Sequence, residues 1–231
     1  MKLSMKYTWL LLDADGTLFD YDKAEAMALE KAFVKAGYAY QPAYREAYQR
    51  INDQLWQAFE HGELSADTIK VRRFQELFTA IGLRGDPVRF SSQYLACLAE
   101  RADLLDGAEA LVRALYGQIN MLVITNGLAE VQRHRFARSG LQPYIADIVI
   151  SDEVGASKPD PRIFDVAFTR MGNPAREAVL MVGDSLSSDM RGGRGYGIDV
   201  CWFNPAGRPR PEDLDIQYEI ADLSELLLIL E

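Results

Sequence analysis

The stretch Trp9-Leu10-Leu11-Leu12-Asp13-Ala14-Asp15-Gly16-Thr17-Leu18-Phe19-Asp20 decides how this chain reads. Trp9 to Leu12 are apolar without alternation, the mark of a strand buried on both faces in a parallel sheet. The run stops at two carboxylates one residue apart. In open α/β sheets ligands bind beyond the carboxyl ends of the strands, so Asp13 and Asp15 sit where such folds place chemistry. Gly16 permits a sharp turn. A chain leaving the sheet through that turn brings both acids to one small space, although successive strand side chains point to opposite faces.

Two carboxylates about 4 Å apart repel by roughly 4 kcal/mol at an effective dielectric of 20, so the pair calls for a cation, a shared proton or water. Mg2+ takes one or two carboxylates together with waters and a substrate phosphate, which makes it the first candidate. An Asp-Gly turn that merely closes a strand gives the same letters. An EF-hand calcium loop does not fit, because Gly16 falls fourth and Thr17 fifth where that loop has an acid or Asn fifth and Gly sixth.

At 231 residues the chain is long for one compact unit and short for two full domains, which favours a core carrying an inserted module. Its 48% hydrophobic and 26% charged residues are those of a globular protein rather than a disordered one. The net charge of -9, without a basic stripe, argues against a nucleic-acid polymer as partner. A small anion stays possible where a metal or local Lys and Arg offset the charge. Cys97 and Cys201 lie far apart in apolar surroundings and read as core residues of a reduced compartment. Lys2 and Lys6 precede an apolar run too short for a signal peptide, and no run is long enough to span a bilayer. The expected location is the cytoplasm.

After Asp20 the period becomes helical. Four helices are expected, ending near Gly37, His61-Gly62, Gly82 and Arg101, with starts marked by Pro42, Ser65 and Pro87. Short loops between them predict a small antiparallel bundle. From Asp106 strands and helices alternate: strands at 121–125, 148–150, 179–182 and 200–203, an edge strand at 218–220, and helices at 106–116, 128–139, 161–171, 186–194 and 224–230. The first strand therefore belongs with this second half. The expected division is a core of residues 1–20 and 102–231 and an inserted helical domain of 21–101, placed to cover what binds at the Asp-x-Asp turn.

Three later strand ends carry related signals. Thr125-Asn126-Gly127 offers a hydroxyl and, from Leu128, a helix start whose N–H groups suit an anion. Lys158-Pro159 follows the next strand, and Gly183-Asp184-Ser185 with Asp189 follows the one after. Taken singly these are helix caps and a solvated loop. Topology brings all four sets to one rim, and together they supply what phosphoryl transfer requires.

That order of motifs strongly resembles the haloacid dehalogenase superfamily of phosphatases, across nearly the whole chain. The resemblance implies a Rossmann-like parallel sheet flanked by helices with an all-helical, four-helix cap. It implies that Asp13 is the nucleophile and Asp15 the acid and base. Thr125, Asn126 through its backbone N–H, and Lys158 would bind the phosphoryl oxygens. Asp13, the carbonyl of Asp15 and Asp184 would hold Mg2+, with Asp189 orienting its waters or Lys158. Dehalogenases of similar sequence lack the second acid because halide leaves unprotonated, so Asp15 favours an oxygen leaving group.

Within the superfamily the chain is most similar to the bacterial pyrimidine 5′-nucleotidase branch. The similarity rests on Asp13-Ala14-Asp15, Thr17-Leu18-Phe19, Val182-Gly183-Asp184-Ser185, Gly192, Gly193 and Cys201-Trp202-Phe203-Asn204, with Asn52, Leu55-Trp56, Gly62 and Arg73-Phe74 in the cap. The implied substrate is a small phosphorylated metabolite, a nucleoside monophosphate. Asn52, Trp56 and Arg73 are candidates to read its base; alternatively Trp56 packs in the bundle and Arg73 is solvated. Other readings on the same scaffold are a phosphatase or phosphomutase for phosphoglycolate or a sugar phosphate, and a silent phospholigand-binding relative. The Gly192 to Gly197 stretch lacks dinucleotide-binding spacing, and His61 and His134 read as surface residues.

Overall fold

Pairing of β1 (Trp9–Leu12) on both edges sets the architecture of this computed structural model, which describes residues 6–230. Lys2 lies outside the described residues. β2 (Asn120–Thr125) and β4 (Val179–Gly183) flank β1, followed outward by β3 (Asp147–Ile150) on one side and β5 (Asp199–Phe203) and β6 (Tyr218–Ile220) on the other. All pairs are parallel, in the order β3-β2-β1-β4-β5-β6. The winding direction reverses between β1 and β4, the switch point at which such sheets bind ligands. Right-handed crossovers on the two sides of that point put helices on opposite faces of the sheet.

The helices are α1 (Tyr21–Ala36), α2 (Ala43–Glu60), α3 (Ala66–Ala80), α4 (Pro87–Ala99), α5 (Ala108–Leu115), α6 (Ala129–Ser139), α7 (Ser151–Val154), α8 (Pro161–Arg170), α9 (Arg191–Tyr196) and α10 (Glu225–Leu230). Two compact units result. The sheet unit takes residues up to 21, 103–129 and from 136 onward; the helical unit takes 22–102 and 130–135. In the sheet unit Leu11, Ile124, Phe164, Met181, Val200 and Trp202 share one buried core. In the helical unit the rings of Phe33 and Phe74 each meet Phe90 edge-on, with centroids 4.9 and 5.0 Å apart. Ser65 caps α3 through its side chain, as its place in the sequence predicts, and Asp86 does the same for α4, which starts at the expected Pro87.

Two local features differ from the expected pattern. The 186–194 helix is a π-turn over Leu186–Met190 followed by α9, and α7 is an added short turn after β3. Both cysteines are buried and free. Gly192 and Gly193 serve packing: a Cβ on the first would lie 2.9 Å from the Phe164 ring, and on the second 2.6 Å from Val200 Cγ1. Among the described residues no helix is long and apolar enough to cross a membrane.

Candidate active site

Register delivers the first acid. Leu12 pairs with both Val123 and Val182, so Asp13, Ile124 and Gly183 follow at one level on three adjacent strands. The Asp13 N–H still donates to Val182 (2.9 Å), and the chain then folds tightly: Ala14 O accepts from Leu18 N and Phe19 N, and Gly16 N donates to Phe19 O. Gly16 holds φ +85, a value that side chains resist. Asp13 is buried, Asp15 half-buried. The Thr17 hydroxyl donates to Asp13 Oδ2 at 3.2 Å.

Lys158 closes the arrangement from another loop. Its ammonium donates to Asp13 Oδ1 (2.5 Å), Asp189 Oδ1 (2.7 Å) and the Ile124 carbonyl (2.9 Å). An ammonium has three protons, and all are used here. The ammonium therefore stands beside Asp13 as a buried positive charge. Burial opposes that charge, but the Asp13 and Asp189 carboxylates outweigh it and raise Lys158 above its ordinary value.

Asp189 is fully buried, and its second oxygen accepts the Ser185 N–H at 3.0 Å. The π-turn makes this possible: Ser185 O accepts from both Asp189 N and Met190 N, and the extra residue rotates Asp189 inward. Gly183 leaves the room, since a Cβ there would lie 2.2 Å from Asp189 Oδ2. Asp184 comes in beside the Gly16 turn, where a Cβ on Gly16 would lie 2.8 Å from Asp184 Oδ2.

One carboxylate oxygen each from Asp13, Asp184 and Asp189 lies within 4.8 Å of the others. Burial raises the Asp13 carboxyl well above its usual range; Lys158 opposes this and the Asp189 and Asp184 charges add to it. Burial, then the Asp189 charge, pushes Asp184 up to about 7. Three hard oxygen donors that one ammonium does not neutralise fit a divalent cation such as Mg2+. Two glycines keep the space open around them.

Thr125 ends β2 and is buried. The Asn126 side chain turns away from the site. Its Nδ2 donates to Lys158 O (2.8 Å) and its Oδ1 accepts Lys158 N–H (2.7 Å), a two-point grip on the main chain that carries the ammonium. At the helix start expected to attract an anion, the Ala129 N–H donates to Asp152 Oδ2 at 3.0 Å. In the helical unit Arg73 is buried, not solvated: its Nη1 donates to Tyr48 Oη (3.3 Å) and Asn52 Oδ1 (3.4 Å), and its guanidinium lies 4.9 Å from the Tyr94 ring centre. Asn52 is buried with it, and Trp56 is half-buried against Phe59. Arg208, not expected as a site residue from the sequence, reaches Asp184 through Nη2, which donates to the Asp184 carbonyl at 2.6 Å, and Asn204, equally unexpected, accepts the Arg208 N–H. No spacing in the sequence links them to it.

Residues 7–197 match the haloacid dehalogenase-like hydrolase family. The chain belongs to this hydrolase family. It is 36% identical over 225 residues to YfnB of Bacillus subtilis, covering 97% of this chain and 96% of that protein. The YfnB structure, determined bound to magnesium, superposes with a TM-score of 0.92 at 35% identity over 98% of this chain and 99% of the other. The pyrimidine 5′-nucleotidase YjjG of Escherichia coli is 35% identical, covering 96% of this chain and 97% of that one. The pyrimidine 5′-nucleotidase PynA of Streptococcus pneumoniae is 33% identical, with 96% and 94% covered. As a hydrolase of this family the chain carries its acidic cluster at the carboxyl ends of β1 and β4.

Proposed function

We propose that this hydrolase cleaves phosphate monoesters in a Mg2+-dependent reaction through an aspartyl phosphate on Asp13, and that its substrates are pyrimidine nucleoside 5′-monophosphates. The observation that carries the reaction is the buried contact of Asp13 Oδ1 with Lys158 Nζ at 2.5 Å, beside Asp184 and Asp189. A carboxylate so placed is oriented and neutralised in part, which a nucleophile approaching an anion requires.

An Asp13 oxygen attacks phosphorus, the bond to the leaving oxygen breaks, and Asp15 gives that oxygen its proton. Asp15, now ionised, takes a proton from water as the water oxygen attacks the same phosphorus. The bond to Asp13 breaks, inorganic phosphate departs and both carboxyl groups return to their starting states. Asp13, the Asp15 carbonyl and Asp184 are the donors assigned to Mg2+, which when bound offsets phosphate charge and polarises the phosphoryl oxygens. Thr125 and the Asn126 N–H are assigned to those oxygens. Asp189 holds Lys158 in place.

None of these groups distinguishes one alcohol from another. We assign that choice to the α1–α4 insertion, with the half-buried Trp56 ring as the base contact; Asn52 and Arg73 are buried and bonded to Tyr48. The pyrimidine assignment draws on the similarity to YjjG and PynA. A panel of nucleoside monophosphates and sugar phosphates compared by kcat/KM tests it, with UMP and dTMP expected to lead. A sugar phosphate leading instead would refute the substrate class but not the chemistry. Asp13→Asn is expected to abolish turnover while leaving the fold intact; activity equal to that of the unmodified enzyme would contradict the mechanism.

A further inference from the structure

Asp184 projects from the turn after β4, and the groups that fix this turn lie outside the acidic motifs. Its carbonyl accepts two hydrogen bonds, from Trp202 Nε1 at 3.0 Å and from Arg208 Nη2 at 2.6 Å. Trp202 is fully buried in β5, and the Arg208 guanidinium lies 5.3 Å from its ring centre. The Arg208 main chain is gripped in turn by the buried Asn204. Arg208 N donates to Asn204 Oδ1, and Asn204 Nδ2 donates to Arg208 O, both at 2.9 Å. The same Nδ2 donates to Glu219 in β6, and Asn204 N donates to Ile220 O at 2.7 Å. The sheet edge thus holds Asn204, Asn204 holds Arg208, and Arg208 holds the Asp184 carbonyl.

On its other side the Asp184 carboxylate abuts the Gly16 turn. We infer that Arg208, gripped by Asn204, is a positioning residue for Asp184: it fixes the carbonyl end of the residue so that the carboxylate meets Asp13 in the geometry a divalent cation shares. The inference rests on the metal-dependent reading above. It differs in sign from a plain charge effect, because removing a nearby positive charge alone would tighten cation binding.

Calorimetric titration of the metal-free full chain with Mn2+ tests it, using Arg208→Ala, Arg208→Lys, Asn204→Ala and, as a surface control, Arg191→Ala. Melting temperatures without metal, and kcat and KM for p-nitrophenyl phosphate at saturating Mg2+, accompany the titrations. Arg208→Ala and Asn204→Ala are expected to weaken Mn2+ binding roughly 10-fold or more, as loss of a supporting partner of a metal ligand does. Arg208→Lys recovers part of the loss, Arg191→Ala leaves affinity unchanged, and KM moves little. Unchanged or tighter Mn2+ binding by Arg208→Ala, with its melting temperature retained, overturns the inference. Failure of the unmodified protein to bind Mn2+ overturns the metal-dependent reading itself.

Discussion

Asn126 and Asn204 do the same thing at two strand ends. Each presents an amide, with one donor and one acceptor, to the N–H and C=O of a cationic residue: Lys158 on a loop 32 residues away in one case, and Arg208 four residues further along the same stretch in the other. An amide matches a peptide unit at both atoms, which no hydroxyl or carboxylate does. Asn126→Ala removes both bonds and leaves the Lys158 loop free to shift, and small misplacements near reacting groups are costly. We expect kcat to fall by roughly 10- to 100-fold while the melting temperature changes little. Steady-state kinetics beside thermal denaturation check this, and an unchanged kcat would show that the grip is not needed.

Among the elements, the strand ends are legible in the sequence because an unbroken apolar run closed by Asp, Thr or Gly, recurring between helical stretches, rarely arises except where a buried strand stops. The amide grips are not, since an asparagine after a strand looks the same whether it caps a helix or holds a loop 32 residues away. The π-turn is hidden for a similar reason: the residue it turns inward, Asp189, meets its partner Lys158 only in the assembled site. Burial of Arg73 is equally invisible, because charge is a surface signal unless its partners Tyr48 and Asn52 are known to converge on it. The site geometry also makes the end of β4 intolerant. Gly183→Ala places a methyl 2.2 Å from Asp189 Oδ2, inside any allowed contact. Asp189 must then withdraw from Lys158, and overpacking of this kind costs about 1–3 kcal/mol. Chemical denaturation is expected to show that loss, with turnover falling further than stability accounts for; a variant of native activity would mean that the turn relaxes around the methyl.

For the whole molecule the net charge of -9 reduces affinity for polyanions and also shapes how stability varies with pH. The buried acid Glu25 in α1 gives the clearest case. Burial, followed by the charges of Asp22 and Asp53, pushes its carboxyl from 4.5 up to about 7; a hydrogen bond from Gln49 and the Arg73 charge pull the other way and are weaker. Below the unfolded value near 4.5 the group is neutral in both states and exacts no penalty. As pH rises from there the unfolded chain releases a proton that the folded one keeps, so stability drains away until about 7, where the loss levels off at roughly 3 kcal/mol. Glu25→Gln preserves size and a hydrogen-bonding end while removing the ionisation. Urea unfolding followed across the pH range should therefore show the variant gaining on the unmodified chain by roughly 2 kcal/mol between about pH 5 and about pH 8. A gap that stays constant over that interval would mean that Glu25 is ionised in the folded helical unit, paired with Arg73, and that the cluster is a buried ion pair rather than a neutral acid beside an arginine.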